Sequence, residues 1–190
     1  MKNIVTIMDK FILMSAGTAL GLCFGYFYFT SKSSKKPKIT NQVLFFPENG
    51  NQSKNRSLPQ LVKYLNSAEK SIDLCLYMIT SHDLGQAVLN RMESSDNVRV
   101  RLIADHSFAH VKGSLVSELR KRGAFVRIKE SDFLMHHKFA IIDDDLVLSG
   151  SFNWTMQAAS GNQENVIVSS EPEIVRPFCE HFTKMWTELE

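Results

Sequence analysis

Residues 136–153 read His-His-Lys-Phe-Ala-Ile-Ile-Asp-Asp-Asp-Leu-Val-Leu-Ser-Gly-Ser-Phe-Asn, a stretch that occurs once in the chain. It sets a histidine, a lysine, acidic residues, a Gly-Ser pair and an asparagine along two short apolar runs. Attack on phosphorus needs this combination: an imidazole as nucleophile, cationic and neutral donors for the phosphoryl oxygens, and carboxylates that orient. On an extended chain alternate residues share a face, so His136 and Lys138 point one way while His137 and Phe139 point the other. Ser149, Ser151 and Asn153 share a face in the second run. A hairpin through Asp143, Asp144 and Asp145 lays the two rows side by side. Asp143 falls out of phase with His136 and lies at the turn, placed to brace strands or to bond backbone amides. Glu164, beyond a turn at residues 161–162, can orient an imidazole through its second ring nitrogen.

The elements that must hold these groups follow from periodicity. Short or continuous apolar runs predict strands at 43–46, 72–79, 98–104, 125–128, 138–142, 146–148 and 166–168. Helical spacing marks 58–70, a helix opening at Ser81, 114–122 closed by Gly123, and 172–189 with Phe178, Phe182, Met185, Trp186 and Leu189 inward. Residues 48–57 read as loop. The order β-α-β-α-β-α-β-β-β-β-α predicts an α/β fold with a mixed sheet sandwiched between helices.

Other chemistry-bearing groups have plainer readings. His106, His110 and Lys112 follow a strand end, where α/β folds place sites, and read as solvated loop residues or groove-lining ones. Arg120, Lys121 and Arg122 read as a solvated helix face or a phosphate-tracking patch, and Trp154 as a core residue or a base-stacking platform. Three scattered cysteines exclude a disulfide framework or a cysteine metal cluster and suit a reducing compartment. Formal net charge is +2, which excludes a chain basic throughout. Six of the 22 basic residues but one of the 20 acidic residues fall in 1–40, leaving 41–190 at net −3. An anionic polymer would therefore meet a local patch.

Residues 11–30 contain no charge and, as a helix, span about 30 Å, the thickness of a bilayer core. Tyr26 and Tyr28 sit near the end of this run, and Lys32, Lys35, Lys36 and Lys38 follow it. The expected organisation is a tail at 1–10, a retained transmembrane anchor at 11–30, a basic linker at 31–40 and a catalytic domain at 41–190 in the cytosol. The anchor fits the mitochondrial outer membrane and also the endoplasmic reticulum. Gly17, Gly21 and Gly25 share a helical face, either as a helix-packing seam or as ordinary membrane-helix glycines.

The pattern His-x-Lys-x4-Asp-x6-Gly-Ser-x-Asn, filled by His136, Lys138, Asp143, Gly150, Ser151 and Asn153, resembles the HKD signature of the phospholipase D superfamily. The likeness extends over roughly residues 42–188 in element order and includes Trp154, Thr155, Glu164 and Asn165. The anchor, single motif copy, Phe45-Phe46-Pro47 and chain length are similar to the Zucchini family of mitochondrial outer-membrane proteins, also described as cardiolipin hydrolases. One departure stands out. That family carries a Cys/His zinc site after the first strand, and residues 48–57 hold no Cys or His.

The resemblance implies a homodimer, because superfamily sites use two motif copies and this chain has one. It implies His136, Lys138, Asp143 and Glu164 as the catalytic set, Ser151 and Asn153 as phosphate-binding residues, a phosphohistidine intermediate, and no metal or other cofactor. The leading implied activity is a single-stranded RNA endonuclease of piRNA biogenesis leaving 5′-phosphate ends. Hydrolysis of cardiolipin to phosphatidic acid and a non-catalytic outer-membrane scaffold are the alternatives. A narrow basic groove would favour RNA and an apolar rim would favour lipid.

Overall fold

The computed structural model describes residues 39–47, 57–94 and 98–189. The expected tail, anchor and glycine seam, all but the last two residues of the linker, and residues 48–56 of the loop without zinc ligands lie outside them. Among the described residues no helix is long and apolar enough to cross a membrane.

Seven strands form one mixed sheet: β1 (Asn41–Phe46), β2 (Ser71–Leu76), β3 (Arg99–Asp105), β4 (Phe125–Lys129), β5 (Lys138–Ile142), β6 (Leu146–Gly150) and β7 (Glu164–Ser169). Their spatial order is β1-β7-β6-β5-β2-β3-β4. Strands β2, β3 and β4 run parallel, and every other pairing is antiparallel. The helices are α1 (Ser57–Asn66), α2 (His82–Met92), α3 (His106–Ala109), α4 (Val116–Lys121), α5 (Met156–Ser160) and α6 (Pro172–Glu188). The expected α/β fold with a mixed sheet between helices is what the chain adopts.

Period-two alternation sorts the strand residues onto two cores. Ile72, Leu74, Leu76, Leu102, Ala140, Leu148 and Val168 face the layer of α1, α2 and α4. Cys75, Ile103, Phe139, Ile141 and Val147 face α6, whose Val175 and Phe182 are buried on them. Both faces are covered at the sheet centre, which is why β2 reads as a continuous apolar run. The exception is Asp73, 2% exposed on the α6 side. Arg101 neutralises it through two hydrogen bonds of 2.7 and 2.5 Å. The guanidinium in turn lies over Phe182 and Trp186 at 4.9 and 5.4 Å.

Three local differences from the pattern reading have physical causes. Strand β2 ends at Leu76 rather than 79, since beyond Tyr77 the backbone turns to bond Trp154 instead of a neighbouring strand. Helix α3 replaces an expected loop because the Asp105 carboxylate caps the Ser107 amide. Helix α5 forms where Thr155 caps Ala158 in the same way.

Candidate active site

The β5–β6 hairpin carries the site, and its turn is built for the job. Asp143 and Asp144 both take φ of 57°, and the Asp145 amide closes the turn on the Ile142 carbonyl at 3.0 Å. Left-handed backbone costs an L-residue about 1–2 kcal/mol. The Asp143 carboxylate offsets this by accepting hydrogen bonds from the amides of Glu69, Lys70 and Ser71 at 2.7–2.8 Å. These are the amides that lead into β2. Asp143 thus staples the hairpin to its neighbouring strand, as its phase predicts. It stands about 20 Å from His136, at the far end of β5. Its carboxylate is committed to backbone amides, the bracing place its phase predicts, and is not directed at the imidazole.

At the other end of β5 the ladder with β2 runs one step past Lys138, through the Tyr77 amide bonded to the His137 carbonyl at 2.8 Å. The His136 imidazole is exposed and packs edge-on against the Tyr77 ring at 4.4 Å. Lys138 Nζ lies 5.0 Å from the same ring and donates to the His136 carbonyl at 2.8 Å. His136 and Lys138 therefore share a face, with Tyr77 between them as a common platform. Phe108 of α3 packs against Tyr77 with ring centroids 4.4 Å apart. Burial, with Asp105 adding repulsion, pushes the Tyr77 phenol upward, so it stays neutral at ordinary pH.

Asp105, 3% exposed, holds the segment entering the site. Its carboxylate accepts from the Met135 amide at 2.7 Å, immediately before His136. Neither Tyr77 nor Asp105 was singled out from sequence. Both sit at the carboxyl ends of parallel strands, and that position was the available signal.

The second run behaves differently from a free row of donors. Ser151 Oγ accepts from the Asn165 amide, and the Ser151 amide donates to the Asn165 carbonyl, both at 3.1 Å. Gly150 lets β6 and β7 come this close: a Cβ there would lie 2.0 Å from the Asn165 carbonyl oxygen. Asn153 presents a buried Oδ1 without a hydrogen-bond partner. An unsatisfied buried acceptor costs about 1–3 kcal/mol and marks a place where a donor is wanted.

Glu164 opens β7 and accepts from Asn162 Nδ2 at 3.1 Å. Its charge acts on Lys138. Burial lowers the Lys138 pKa, and the Glu164 carboxylate opposes that shift. The carboxylate expected to orient His136 is thus coupled, within one chain, to the lysine beside it.

His137 takes the opposite face, with its ring on Phe139 at 5.4 Å and against His181 of α6. Of the remaining candidates, His106 pairs with Glu130 at 3.6 Å, and His110 and Lys112 are exposed beyond Phe108. Arg120 and Arg122 are tied to Val126, Glu93 and Glu118, and Trp154 is 3% exposed in the core.

A cavity of about 500 Å³ opens beside His136, lined by Phe133, Leu134, Met135, His137, His181, Met185 and Leu189 together with Lys129, Ser131 and Glu188. Phe133 is 85% and Leu134 55% exposed at its rim. The site therefore has an apolar wall beside His136, with the Tyr77 and Phe108 rings next to the imidazole.

Comparison with known proteins agrees with this geometry. The family model "Cardiolipin synthase, PLD-like domain" matches residues 61–186. A Chlamydomonas reinhardtii protein named mitochondrial cardiolipin hydrolase is 44% identical over 130 residues, covering 68% of this chain but 57% of that relative. The human protein of that name is matched over 52% of its length. The Xenopus laevis protein of the same name is 34% identical over 92% of this chain and 88% of its own. Among solved structures, the phospholipase D family member Nuc from Salmonella typhimurium superimposes with a TM-score of 0.68 at 25% identity, covering 79% of this chain and 95% of Nuc.

Proposed function

The chain belongs to the phospholipase D superfamily, in the family of the proteins named mitochondrial cardiolipin hydrolase, and on that premise we propose that it hydrolyses phosphodiesters through a phosphohistidine on His136. The observation that carries this reading is the exposed His136 imidazole sharing one face with the Lys138 ammonium over Tyr77. The imidazole nitrogen attacks phosphorus. A P–N bond forms as the bond to the leaving oxygen breaks, and a second imidazole gives that oxygen its proton. The same second group then takes a proton from water, whose oxygen attacks phosphorus and releases His136. Lys138 holds the non-bridging oxygens as charge builds on them. Asn153 lies at the end of the partner run and joins them.

One chain has one copy of this set, so the second imidazole is assigned to His136 of another copy, in a homodimer with a shared site. Asn153, with an acceptor still unpaired, and Glu164, coupled to Lys138, are the groups whose partners such a dimer would complete. Sedimentation of an active species at the mass of one chain would overturn this assignment.

For substrate, the apolar wall of Phe133, Leu134, Met135 and Leu189 favours a phosphatidyl lipid, with cardiolipin cleaved to phosphatidic acid. The relatives' name and the expected anchor in the mitochondrial outer membrane support this. A second reading rests on other residues. Exposed His106, His110 and Lys112 suit a single-stranded RNA backbone, and the chain is then an endonuclease of piRNA biogenesis leaving 5′-phosphate ends.

The test is to incubate the full chain in detergent micelles with labelled single-stranded RNA and with cardiolipin vesicles in parallel, in EDTA, beside the His136→Asn variant. Phosphatidic acid release by the wild type alone supports the lipid reading. RNA cleavage without lipid turnover transfers the assignment to the nuclease. Equal rates for wild type and variant overturn both.

A further inference from the structure

We propose that His137 and His181 form a binding site for one divalent transition-metal ion of the zinc class, at the mouth of the cavity beside His136. The two Nε2 atoms lie 3.2 Å apart. An ion about 2.0–2.1 Å from each nitrogen would subtend an angle of about 100°, close to tetrahedral. The ring centroids are 5.1 Å apart at an interplanar angle of 81°, closer than end-on alignment at this nitrogen spacing gives. That centroid spacing is the one two lone pairs directed at a single ion would give.

The two rings are held in place from opposite elements. His137 follows the segment that Asp105 anchors, and its ring rests on Phe139. His181 precedes Phe182, which α6 buries fully against the sheet.

The surrounding charges are mixed. Lys129, Lys138 and His136 oppose a cation there, while Glu188, which lines the same cavity, favours one. Burial, then His181, Lys138 and His136, hold His137 below the usual imidazole range. One Nε2 donates to the other in the metal-free pair. Ligation requires that donor to shift to its Nδ1–H tautomer, with no net proton released above the imidazole pKa values.

Among the described residues no three His, Cys, Asp or Glu side chains converge on a point. The ion therefore keeps open positions for water, or for a phosphate oxygen held near His136. This is neither a structural four-ligand zinc site nor a site after β1. Its existence does not depend on which phosphodiester the enzyme cleaves.

The full chain titrated with Zn²⁺ at pH 7.5 should bind one equivalent through this pair. His181→Ala and His137→Ala should each weaken that binding by about tenfold or more. Both rings are exposed, and circular dichroism should show the variants folded. Loaded with Cu²⁺, the wild type should show electron-paramagnetic coupling to two imidazole nitrogens, and His181→Ala to one. Equal Zn²⁺ affinity in wild type and both single variants, or unchanged nitrogen coupling in His181→Ala, overturns the site.

Discussion

Removing the Asp143 carboxylate should destabilise the fold while sparing the chemistry, and the size of the effect can be worked from its three hydrogen bonds. Oδ1 accepts from Lys70 and Ser71 at 2.7 and 2.8 Å, and Oδ2 from Glu69 at 2.8 Å. In Asp143→Ala the Glu69 and Lys70 amides regain water, because both residues are exposed. The amide of Ser71, a residue 5% exposed, does not, and one orphaned buried donor costs about 1–3 kcal/mol. The turn also loses the contact that offsets two left-handed residues. A net loss of about 2–3 kcal/mol is expected, with the charge contribution kept small because two of the bonds face solvent. For a domain of this size that lowers Tm by roughly 4–12 °C. Asp143→Asn keeps Oδ1 on Lys70 and Ser71 but turns an NH₂ toward the Glu69 amide, so its loss should be about 1 kcal/mol. The assay is thermal unfolding by circular dichroism for the three proteins, with turnover measured well below each Tm. Staple behaviour gives wild type above Asn above Ala in Tm, with turnover changed only a few-fold. An Asp143→Ala protein with unchanged Tm and turnover lost a hundredfold would refute the assignment and return Asp143 to the chemistry.

Gly150→Ala drives a Cβ to within 2.0 Å of the Asn165 carbonyl and should cost about 3 kcal/mol, read as lost Tm and faster amide exchange at Ser151 and Asn165. Tyr77→Ala removes the platform shared by His136 and Lys138 and should lower kcat more than it raises KM, whereas Tyr77→Phe, which keeps the ring, should stay near wild type. His137 has a folded pKa below its unfolded value, so on acidification through the ordinary imidazole range the unfolded chain takes up its proton first and stability falls. His137→Phe should flatten that fall, seen as a smaller Tm difference between pH 8 and pH 5 than in wild type.

Much of this was legible in the chain because period-two alternation is a strong signal. The opposed faces of His136 and His137 and the turn position of Asp143 follow from spacing alone. Tyr77 escaped because it ends a continuous apolar run, and such a run conceals where a strand stops and a site begins. Asp105 was hidden because its partner, the Met135 amide, lies 30 residues away. Ser151 reads as a phosphate donor, and its Oγ also accepts the Asn165 amide, a bond set by how closely Gly150 allows β7 to approach. Glu164 opens β7, two residues ahead of the apolar run 166–168 that marks the strand in the sequence. Its coupling to Lys138 depends on the lateral order of β5, β6 and β7, which no local pattern encodes.

The most direct test of His136 as nucleophile is to trap the covalent intermediate. Wild type should be mixed with excess substrate, quenched in alkali where phosphohistidine survives, digested, and its peptides weighed. Phosphohistidine catalysis predicts added mass on the peptide containing His136, equal to the phosphoryl-bearing half of whichever substrate is turned over, and none in His136→Asn. Turnover by wild type with no adduct at His136, or an adduct on another residue in both proteins, would contradict it.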